Sequence, residues 1–263
     1  MILYDLHMHT RFCDGADTPE EMVLAAIRKG FRQIGFSGHG YTFFDESYCM
    51  SRAVTQAYIQ EIHRLKECYR TSIDILCGVE KDCFSTEPTD AFDYVIGSVH
   101  YLFVGGEYIP VDESAEILED MVEKHFGGDW MKLCECYYET VATVVERTGA
   151  DIIGHFDLIT KFNEGDVLFD TADSRYVRAW QRAARRLLAS GARFEINTGA
   201  MSRGYRTAPY PAAPIRAYLE QKGAKWVLSS DAHATDGIGY HFEDFEEYIP
   251  VQERALAPLK EKP

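Results

Sequence analysis

His, Glu and Asp side chains recur along the chain in short clusters, and their types are those of metal ligands. The clusters contain His7 and His9 in YDLHMHT, His39 in SGHG, Glu80 in GVEKD, His100 in GSVHY, His155 in GHFD, and Asp231 with His233 in SSDAH. Residues i and i+2 of a strand point to one face, so each HxH or DxH pair can converge on one ion. Imidazole suits zinc, manganese or iron, and a buried carboxylate such as that of Glu80 can join two cations. The set predicts a polynuclear metal site.

Short apolar runs precede these clusters and alternate with helical patterns. We predict strands over residues 2–6, 32–37, 73–79, 94–98, 151–154, 193–197 and 225–230, and helices over 19–29, 52–70, 114–126, 129–148, 173–190 and 211–222. This alternation indicates a parallel sheet, and seven units favour an α/β barrel of the (β/α)7 type over an open sheet. Active sites of such barrels lie at the carboxyl ends of the strands, where each cluster falls. No linker marks a boundary, so a single domain over residues 1–263 is expected.

Composition restricts the kind of partner. The 263 residues are 46% apolar, and 42 acidic residues against 27 basic ones give a net charge of −15. Such a surface repels phosphate backbones, which disfavours nucleic acid and favours small substrates. Seven scattered cysteines indicate reduced thiols, and no export signal or long apolar stretch is visible. We therefore expect a cytoplasmic protein that is not bound to a membrane, with its oligomeric state left open.

The order of the motifs resembles one known superfamily. HMH after the first strand, GHG after the second, Glu after the third, SVH after the fourth, GHFD after the fifth and SDAH after the seventh look like the polymerase and histidinol phosphatase (PHP) superfamily. The Asp14-Gly15 pair and the stretches GHFDLITKF and INTGAMSRGYRTAPYP resemble its monofunctional histidinol-phosphatase branch. The resemblance covers nearly the whole chain. It implies a distorted, TIM-like seven-stranded barrel and hydrolysis of L-histidinol phosphate to L-histidinol and phosphate in histidine biosynthesis.

The resemblance also implies two or three divalent ions of manganese, iron or zinc. It assigns the first to His7, His9, Glu80 and Asp231, the second to Glu80, His100 and His155, and the third to Asp14, His39 and His233. Many members of the superfamily have His where this chain has Asp14, so occupancy of the third site stays open. An oxygen ligand there favours a harder ion, manganese or iron, over zinc.

The expected chemistry follows from charge. A phosphomonoester dianion resists attack by water, and adjacent cations neutralise its oxygens and lower the pKa of a bound water, so the nucleophile would be metal-bound hydroxide. The catalytic group would then consist of the bridging Glu80 with Asp231 and His233, either of which could protonate the leaving alkoxide. The chain has no phosphatase motif of the CxxxxxR type.

Basic and amide residues near the clusters are candidates for binding substrate. Arg203 and Arg206 lie in a Gly-containing loop after the sixth strand, Lys161 follows GHFD, and Asn197 ends the sixth strand. A guanidinium can bind phosphate oxygens bidentately. The alternative for the arginines is that they are solvated loop charges, and Asn197 could instead cap a turn.

Two other functions fit the same residues. One is a phosphoesterase of the same superfamily that acts on another small phosphomonoester or a nucleotide. The other is a barrel without catalysis that keeps its metal ligands for stability or for a partner; the complete ligand set argues against it. Whether residues 40–52 close as a lid stays open.

Overall fold

The structure is a computed structural model that describes residues 1–257 and Leu259. The strands within this part of the chain are β1 (Tyr4–Asp5), β2 (Gln33–Phe36), β3 (Asp74–Asp82), β4 (Tyr94–Ser98), β5 (Tyr101–Val104), β6 (Glu107–Pro110), β7 (Ile152–Ile153), β8 (Arg193–Asn197) and β9 (Trp226–Ser229). The helices are α1 (Pro19–Lys29), α2 (Arg52–Tyr69), α3 (Ala115–Phe126), α4 (Trp130–Val141), α5 (Val144–Thr148), α6 (Ser174–Leu188), α7 (Gly199–Ser202) and α8 (Ala213–Gln221). The predicted single domain includes Pro258 and residues 260–263, which lie outside the described residues.

The main sheet has seven parallel strands in the order β1, β2, β3, β4, β7, β8, β9 within the described residues. Its two edges meet beyond β1 and β9, where Met8 and Ala232 form a parallel bridge. The His9 amide donates to the Ala232 carbonyl at 2.8 Å and the Ala232 amide donates to the His7 carbonyl at 3.1 Å. The sheet is therefore a nearly closed barrel, and the predicted parallel (β/α)7 fold with its seven strands is confirmed.

Tyr94 fills the barrel interior, and two glycines make room for it. A Cβ at Gly35 would lie 2.3 Å from the Tyr94 hydroxyl oxygen, and one at Gly78 would lie 2.3 Å from its ring. The hydroxyl donates to the carbonyl of Leu6 and approaches that of Phe36. Because the ring is fully buried and its polar end is satisfied, it can join three strands without an orphaned hydroxyl.

Helix α1 illustrates how the sequence sets the outer layer. The Thr18 hydroxyl accepts from the Glu21 amide, and the Glu21 carboxylate accepts from the Thr18 amide, which completes a capping box. Pro19 occupies the first turn, and Gly30 ends the helix with φ of 84°, a left-handed conformation that glycine adopts without strain. No helix of the described residues is both long and apolar enough to cross a membrane.

Two elements differ from the sequence prediction. The helix predicted over 129–148 is wrong as one unit, because it breaks between α4 and α5, where the hydroxyls of Thr140 and Thr143 bond to backbone carbonyls and compete with the helical pattern. The antiparallel hairpin of β5 and β6 is not predicted. Its turn, Gly105-Gly106, has φ of 62° and 89°, which suits the two-residue turn that a hairpin prefers.

Candidate metal centre

All nine predicted ligands lie at the carboxyl ends of the barrel strands, or in the loops that follow them. They are His7, His9, Asp14, His39, Glu80, His100, His155, Asp231 and His233. Parallel strands place their carboxyl ends at one rim of a barrel, so residues more than 200 positions apart in sequence meet there.

One oxygen of Glu80 faces three imidazoles. Glu80 Oε2 lies 3.2 Å from His7 Nε2, 3.4 Å from His9 Nε2 and 3.0 Å from His39 Nδ1. Glu80 is 1% exposed, so these contacts are made away from water. This oxygen is thus shared by three nitrogen donors on two strand ends.

The other oxygen of Glu80 faces a second group. Glu80 Oε1 lies 3.3 Å from His100 Nε2 and 2.9 Å from His155 Nε2, and it accepts a hydrogen bond of 2.6 Å from the Ser98 hydroxyl. The two oxygens of one carboxylate therefore point at two different donor sets, which is the geometry that a bridging ligand requires.

Asp231 stands opposite Glu80. Its Oδ1 lies 3.3 Å from His9 Nε2 and 3.7 Å from His7 Nε2, and its Oδ2 lies 3.1 Å from Arg203 Nη2. Asp231 has φ of 49°, in the left-handed region that costs a non-glycine residue conformational energy. Such strain collects at functional sites, where the surroundings hold it in place. Here a Cβ at Gly199 would lie only 2.7 Å from the Cβ of Asp231, so the neighbouring residue must be glycine.

Asp14 forms a third group nearer to solvent. Its Oδ2 lies 3.2 Å from His233 Nε2 and 3.6 Å from His39 Nε2, and its Oδ1 lies 3.6 Å from His9 Nδ1. The rings of His9 and His233 stack with centroids 4.2 Å apart. Asp14 has a side chain that is 33% exposed, so this group lies at the mouth of the site.

The donor atoms fit metal ions. His7 Nε2, His9 Nε2 and Glu80 Oε2 are buried and have no hydrogen-bond partner in the described part of the chain, although they face one another. Buried polar atoms without partners are costly, and a shared cation would satisfy them. Groups whose donor atoms lie within 4.8 Å of one another are His7–His9–Glu80, His39–Glu80–His100 and His9–Asp14–His39–His233. Nitrogen and carboxylate donors of this kind suit zinc, manganese or iron.

Without metal, the buried histidines and carboxylates of the centre shift one another's pKa values. Burial opposes the charged form of His39, but the carboxylates of Asp14 and Glu80 outweigh it and raise the pKa of His39 to about 9. Burial would raise the pKa of Glu80, yet the surrounding imidazoles, that of His7 first, hold it well below its usual range. His9 behaves oppositely, because burial and then the neighbouring His233 and His39 lower its pKa to about 3.

We expect metal binding to release protons at neutral pH. The pKa of His39 in the folded protein, about 9, lies above the ordinary histidine value of 6.5, so its proton stabilises the fold without metal below about pH 6.5, and this stabilisation is lost as pH rises through 9. A metal needs the neutral imidazole and must displace that proton. Calorimetric titration of zinc at pH 7.5, in two buffers that differ in protonation enthalpy, should give different heats, and the difference should shrink above pH 9. Equal heats at pH 7.5 would contradict the expectation.

Glu195 contacts two candidate ligands, His7 and His155, and the sequence analysis did not identify it. Its Oε2 lies 2.9 Å from His7 Nδ1, while Oε1 accepts hydrogen bonds from the His155 amide at 2.6 Å and the Asn197 side chain at 2.9 Å. It is fully buried. One feature of the sequence could have indicated it. Glu195 lies two residues before Asn197, so the two side chains point to the same face of β8. Asp82 acts similarly, since it accepts a hydrogen bond of 3.0 Å from the His100 amide.

Substitution of Glu195 should weaken the centre without emptying it. In Glu195→Gln the amide oxygen can still accept from His7, but the negative charge that fixes the ring and raises its basicity is lost. We expect metal affinity to fall about 10- to 100-fold, the usual range for groups that orient a metal ligand. Competition with a chromophoric chelator measures this. Glu135→Gln, on the outer surface of α4, provides the matched control. An unchanged affinity in Glu195→Gln would limit its role to packing.

A cavity of about 370 Å³ opens above the candidate ligands. The hairpin and neighbouring loops contribute lining residues Asp45, Ser47, Tyr48, Tyr101, Pro110, Asp112 and Glu113. Lys161, Arg203 and Tyr205 also line the cavity. The volume is in the range of small-molecule sites.

The four predicted substrate residues separate into two pairs. Arg203 and Lys161 line the cavity, and Lys161 Nζ donates to the Asp112 carbonyl at 2.6 Å. Asn197 and Arg206 do not line it, and their contact with substrate stays a prediction. Asn197 is fully buried and donates to Glu195 at 2.9 Å, whereas Arg206 turns toward Thr160 and stacks its guanidinium 4.8 Å from the Tyr210 ring centre.

Known proteins are similar to this chain in sequence and in fold. A family model described as the PHP domain matches residues 5–199. A probable histidinol-phosphatase from Deinococcus radiodurans is 30% identical over 253 residues, which cover 92% of this chain and 90% of the relative. The histidinol-phosphatase of Bacillus subtilis is 28% identical over 267 residues, with 92% and 98% covered. A crystal structure of histidinol phosphate phosphatase from Lactococcus lactis, complexed with zinc, L-histidinol and phosphate, has a TM-score of 0.68 and 21% identity, with 94% and 93% covered. The structural likeness agrees with the barrel fold.

Proposed function

The chain belongs to the PHP domain family, and on that premise we propose that it is a metal-dependent phosphatase that hydrolyses L-histidinol phosphate to L-histidinol and phosphate. The observation that carries the proposal is the Glu80-centred group of donors at the floor of a 370 Å³ cavity that also holds Arg203 and Lys161. The names of the relatives from Deinococcus and Bacillus support the choice of substrate. The Lactococcus structure contains zinc, L-histidinol and phosphate, which correspond to a metal and the two products of the proposed reaction.

We propose that His7, His9, Glu80 and Asp231 hold one ion, that Glu80, His100 and His155 hold a second, and that Asp14, His39 and His233 can hold a third. Divalent cations bound there would neutralise the phosphate oxygens and lower the pKa of a coordinated water. The chain's own contribution is to place the donors in a buried rim and to keep both oxygens of Glu80 occupied by different donor sets.

Arg203 and Lys161 are suited to hold the phosphoryl group in place. Arg203 already donates to Asp231, at the edge of the centre, so its guanidinium sits where a phosphate oxygen would meet it. Lys161 also lines the cavity. A charge-assisted contact with each would orient the ester for attack.

His233 is the better placed of the two candidate proton donors. Both oxygens of Asp231 face other groups: His9 and His7 on one side, Arg203 on the other. His233 has a side chain that is 23% exposed, and it lines the cavity. We propose that it protonates the leaving alkoxide when only the first two ions are bound and His233 is not a ligand, while Asp231 acts as a ligand.

Three carboxylates of the cavity suit the cationic end of the substrate. Asp45, Asp112 and Glu113 line it, together with Tyr101, whose hydroxyl donates to Asp45 Oδ2. Lys161 already pairs with Asp112, with its Nζ 3.5 Å from Oδ2, so Asp45 and Glu113 are the carboxylates left for an amine or imidazolium. These charges favour histidinol phosphate over a nucleotide, whose sugar and base carry no positive charge.

The test is phosphate release from L-histidinol phosphate by protein loaded with manganese, iron or zinc, compared with chelator-treated protein and a panel of other phosphomonoesters. A metal-dependent kcat/KM of at least ~10⁴ M⁻¹s⁻¹ with preference for histidinol phosphate is expected. Preference for another ester would support the second candidate, a phosphatase of the same family with a different substrate. Absence of turnover with every ester and every metal would overturn both.

Lys161 gives the cleanest test of phosphate binding, because it touches none of the candidate ligands. In Lys161→Met we expect KM for the phosphomonoester to rise about tenfold with kcat changed less than about threefold, the pattern of lost uniform binding. Lys132→Met, on the exposed face of α4, is the control for charge loss. A KM equal to that of the unmodified protein would leave Lys161 with only its contact to Asp112.

A further inference from the structure

A second cavity lies outside the barrel, on the other face of the strand that carries Glu80. It has a volume of about 310 Å³ and is bounded by the first turns of α2, by β3 and by residues 85–92. Glu80 points into the barrel, so the next residue, Lys81, points outward and lines this cavity. The two cavities share no lining residue. The second cavity is therefore separate from the metal centre, although the strand between them is common.

Lys81 is a buried cation without a counter-charge. The residue is 8% exposed, and its Nζ donates to the Glu87 carbonyl at 2.6 Å. No carboxylate oxygen of the described residues lies within 4.0 Å of it. A buried ammonium of this kind is costly unless an anion compensates it.

The nearest carboxylate is already committed elsewhere. Glu87 receives two hydrogen bonds from Arg52, of 3.1 Å to Nε and 2.8 Å to Nη2, and the Arg52 guanidinium also lies 4.6 Å from the Tyr41 ring centre. Arg52 and Glu87 thus neutralise each other at the cavity rim. Asp90, an exposed residue, also lines the cavity, and Lys81 is the one cation of this lining with no carboxylate oxygen of the described chain within 4.0 Å.

Most of the remaining wall surface is apolar, although Thr55, Gln56, Thr89 and Asp90 also line it. Ile59 from α2, Val79 from β3 and Phe92 from the following loop face the cavity. The cavity volume is about ten times the volume of roughly 30 Å³ that one water molecule occupies in the liquid. The cavity is therefore larger than a lone inorganic ion would fill. An apolar wall with one convergent charged group is the usual make-up of a site for a small organic molecule.

We propose that this cavity binds a small organic monocarboxylate, with its carboxylate on Lys81 and its apolar body against Ile59, Val79 and Phe92. One negative charge matches the one uncompensated ammonium. A phosphate dianion would bring a second charge for which the wall offers no further unpaired cation, since Arg52 is held by Glu87.

Benzoate is the probe, and benzamide is its neutral counterpart of the same shape. Binding to the full-length, zinc-loaded protein is measured by titration calorimetry. We expect benzoate to bind at least about tenfold more tightly than benzamide, the scale of one charge-assisted hydrogen bond. Lys81→Met should weaken benzoate at least about tenfold and leave benzamide unchanged. Lys66→Met, which removes an exposed lysine of α2 outside the cavity, should bind benzoate as the unmodified protein does.

Gln56→Trp provides a variant that keeps Lys81. Gln56 is an exposed lining residue on α2, so a large side chain there can fill the cavity without disturbing the core. It should also abolish benzoate binding. Three results would overturn the proposal: no binding of benzoate, equal binding of benzoate and benzamide, or benzoate binding that survives both Lys81→Met and Gln56→Trp, which would place the anion at the metal centre instead.

Discussion

Glu80→Gln should empty the metal centre and abolish turnover. Each oxygen of Glu80 serves a different donor set, with His39 Nδ1 at 3.0 Å from Oε2 and His155 Nε2 at 2.9 Å from Oε1. An amide keeps the shape but replaces one acceptor oxygen with a donor and removes the negative charge, so two cations would repel each other across it. We expect kcat/KM to fall by well over ~100-fold, the upper end of what is lost when a group that merely supports a ligand is removed.

The measurement combines metal content by mass spectrometry with the rate of phosphate release. Ser98→Ala is the matched control, because it removes only the 2.6 Å hydrogen bond to Glu80 Oε1 and leaves the charge in place. It should retain its metal and most of its activity. Full metal occupancy in Glu80→Gln would exclude a bridging role for this carboxylate.

Removal of the metals should abolish activity and lower the melting temperature without unfolding the barrel. The donors of the centre are buried at the rim, and metal binding to the folded state alone stabilises it by mass action, by about 4 kcal/mol when the free metal is at 1,000 times its Kd. For a chain of this size that corresponds to a melting temperature lower by roughly 10 °C in the metal-free protein. The barrel should persist, since imidazole and carboxylate pairs such as His39 with Asp14 remain when the metals leave.

Circular dichroism before and after treatment with chelator measures both quantities, and addition of zinc should restore them. His63→Gln, an exposed histidine on α2, should behave as the unmodified protein does. A melting temperature that does not respond to chelator or to zinc would show that the buried donors do not hold metal in the folded state.

The grouping of the candidate metal ligands could be predicted because their pattern is local. An HxH or DxH pair after an apolar run marks the carboxyl end of a strand, which places His7, His9, Asp231 and His233 at one rim of the barrel. The strand period does not give their directions, because β1 and β9 end before these residues and Asp231 has φ of 49°. Glu195 does not follow in this way. In the sequence, a single acidic residue inside a strand looks like one of the polar residues that alternate with apolar ones. Only the folded structure shows that Glu195 contacts His7.

The loop after β8 shows a second limit. Arg203 and Arg206 are equivalent in sequence, three residues apart and both near glycine. In the structure the short helix α7 ends at Ser202 and turns Arg203 toward Asp231, whereas Arg206 lies beyond Gly204 and turns toward Thr160. The hairpin of β5 and β6 had a readable signal, since the Gly-Gly turn lies between two short apolar-containing runs.

The bridge between Met8 and Ala232 joins the first cluster of ligands to the last. It closes the barrel and brings His7 and His9 to Asp231 in the same step. On a ribosome, a nascent chain whose exposed part stops short of residue 231 therefore contains an open sheet and an incomplete set of donors. Tight capture of metal at the proposed centre must wait until residue 231 has emerged, so an incomplete barrel would withdraw less metal from the cell.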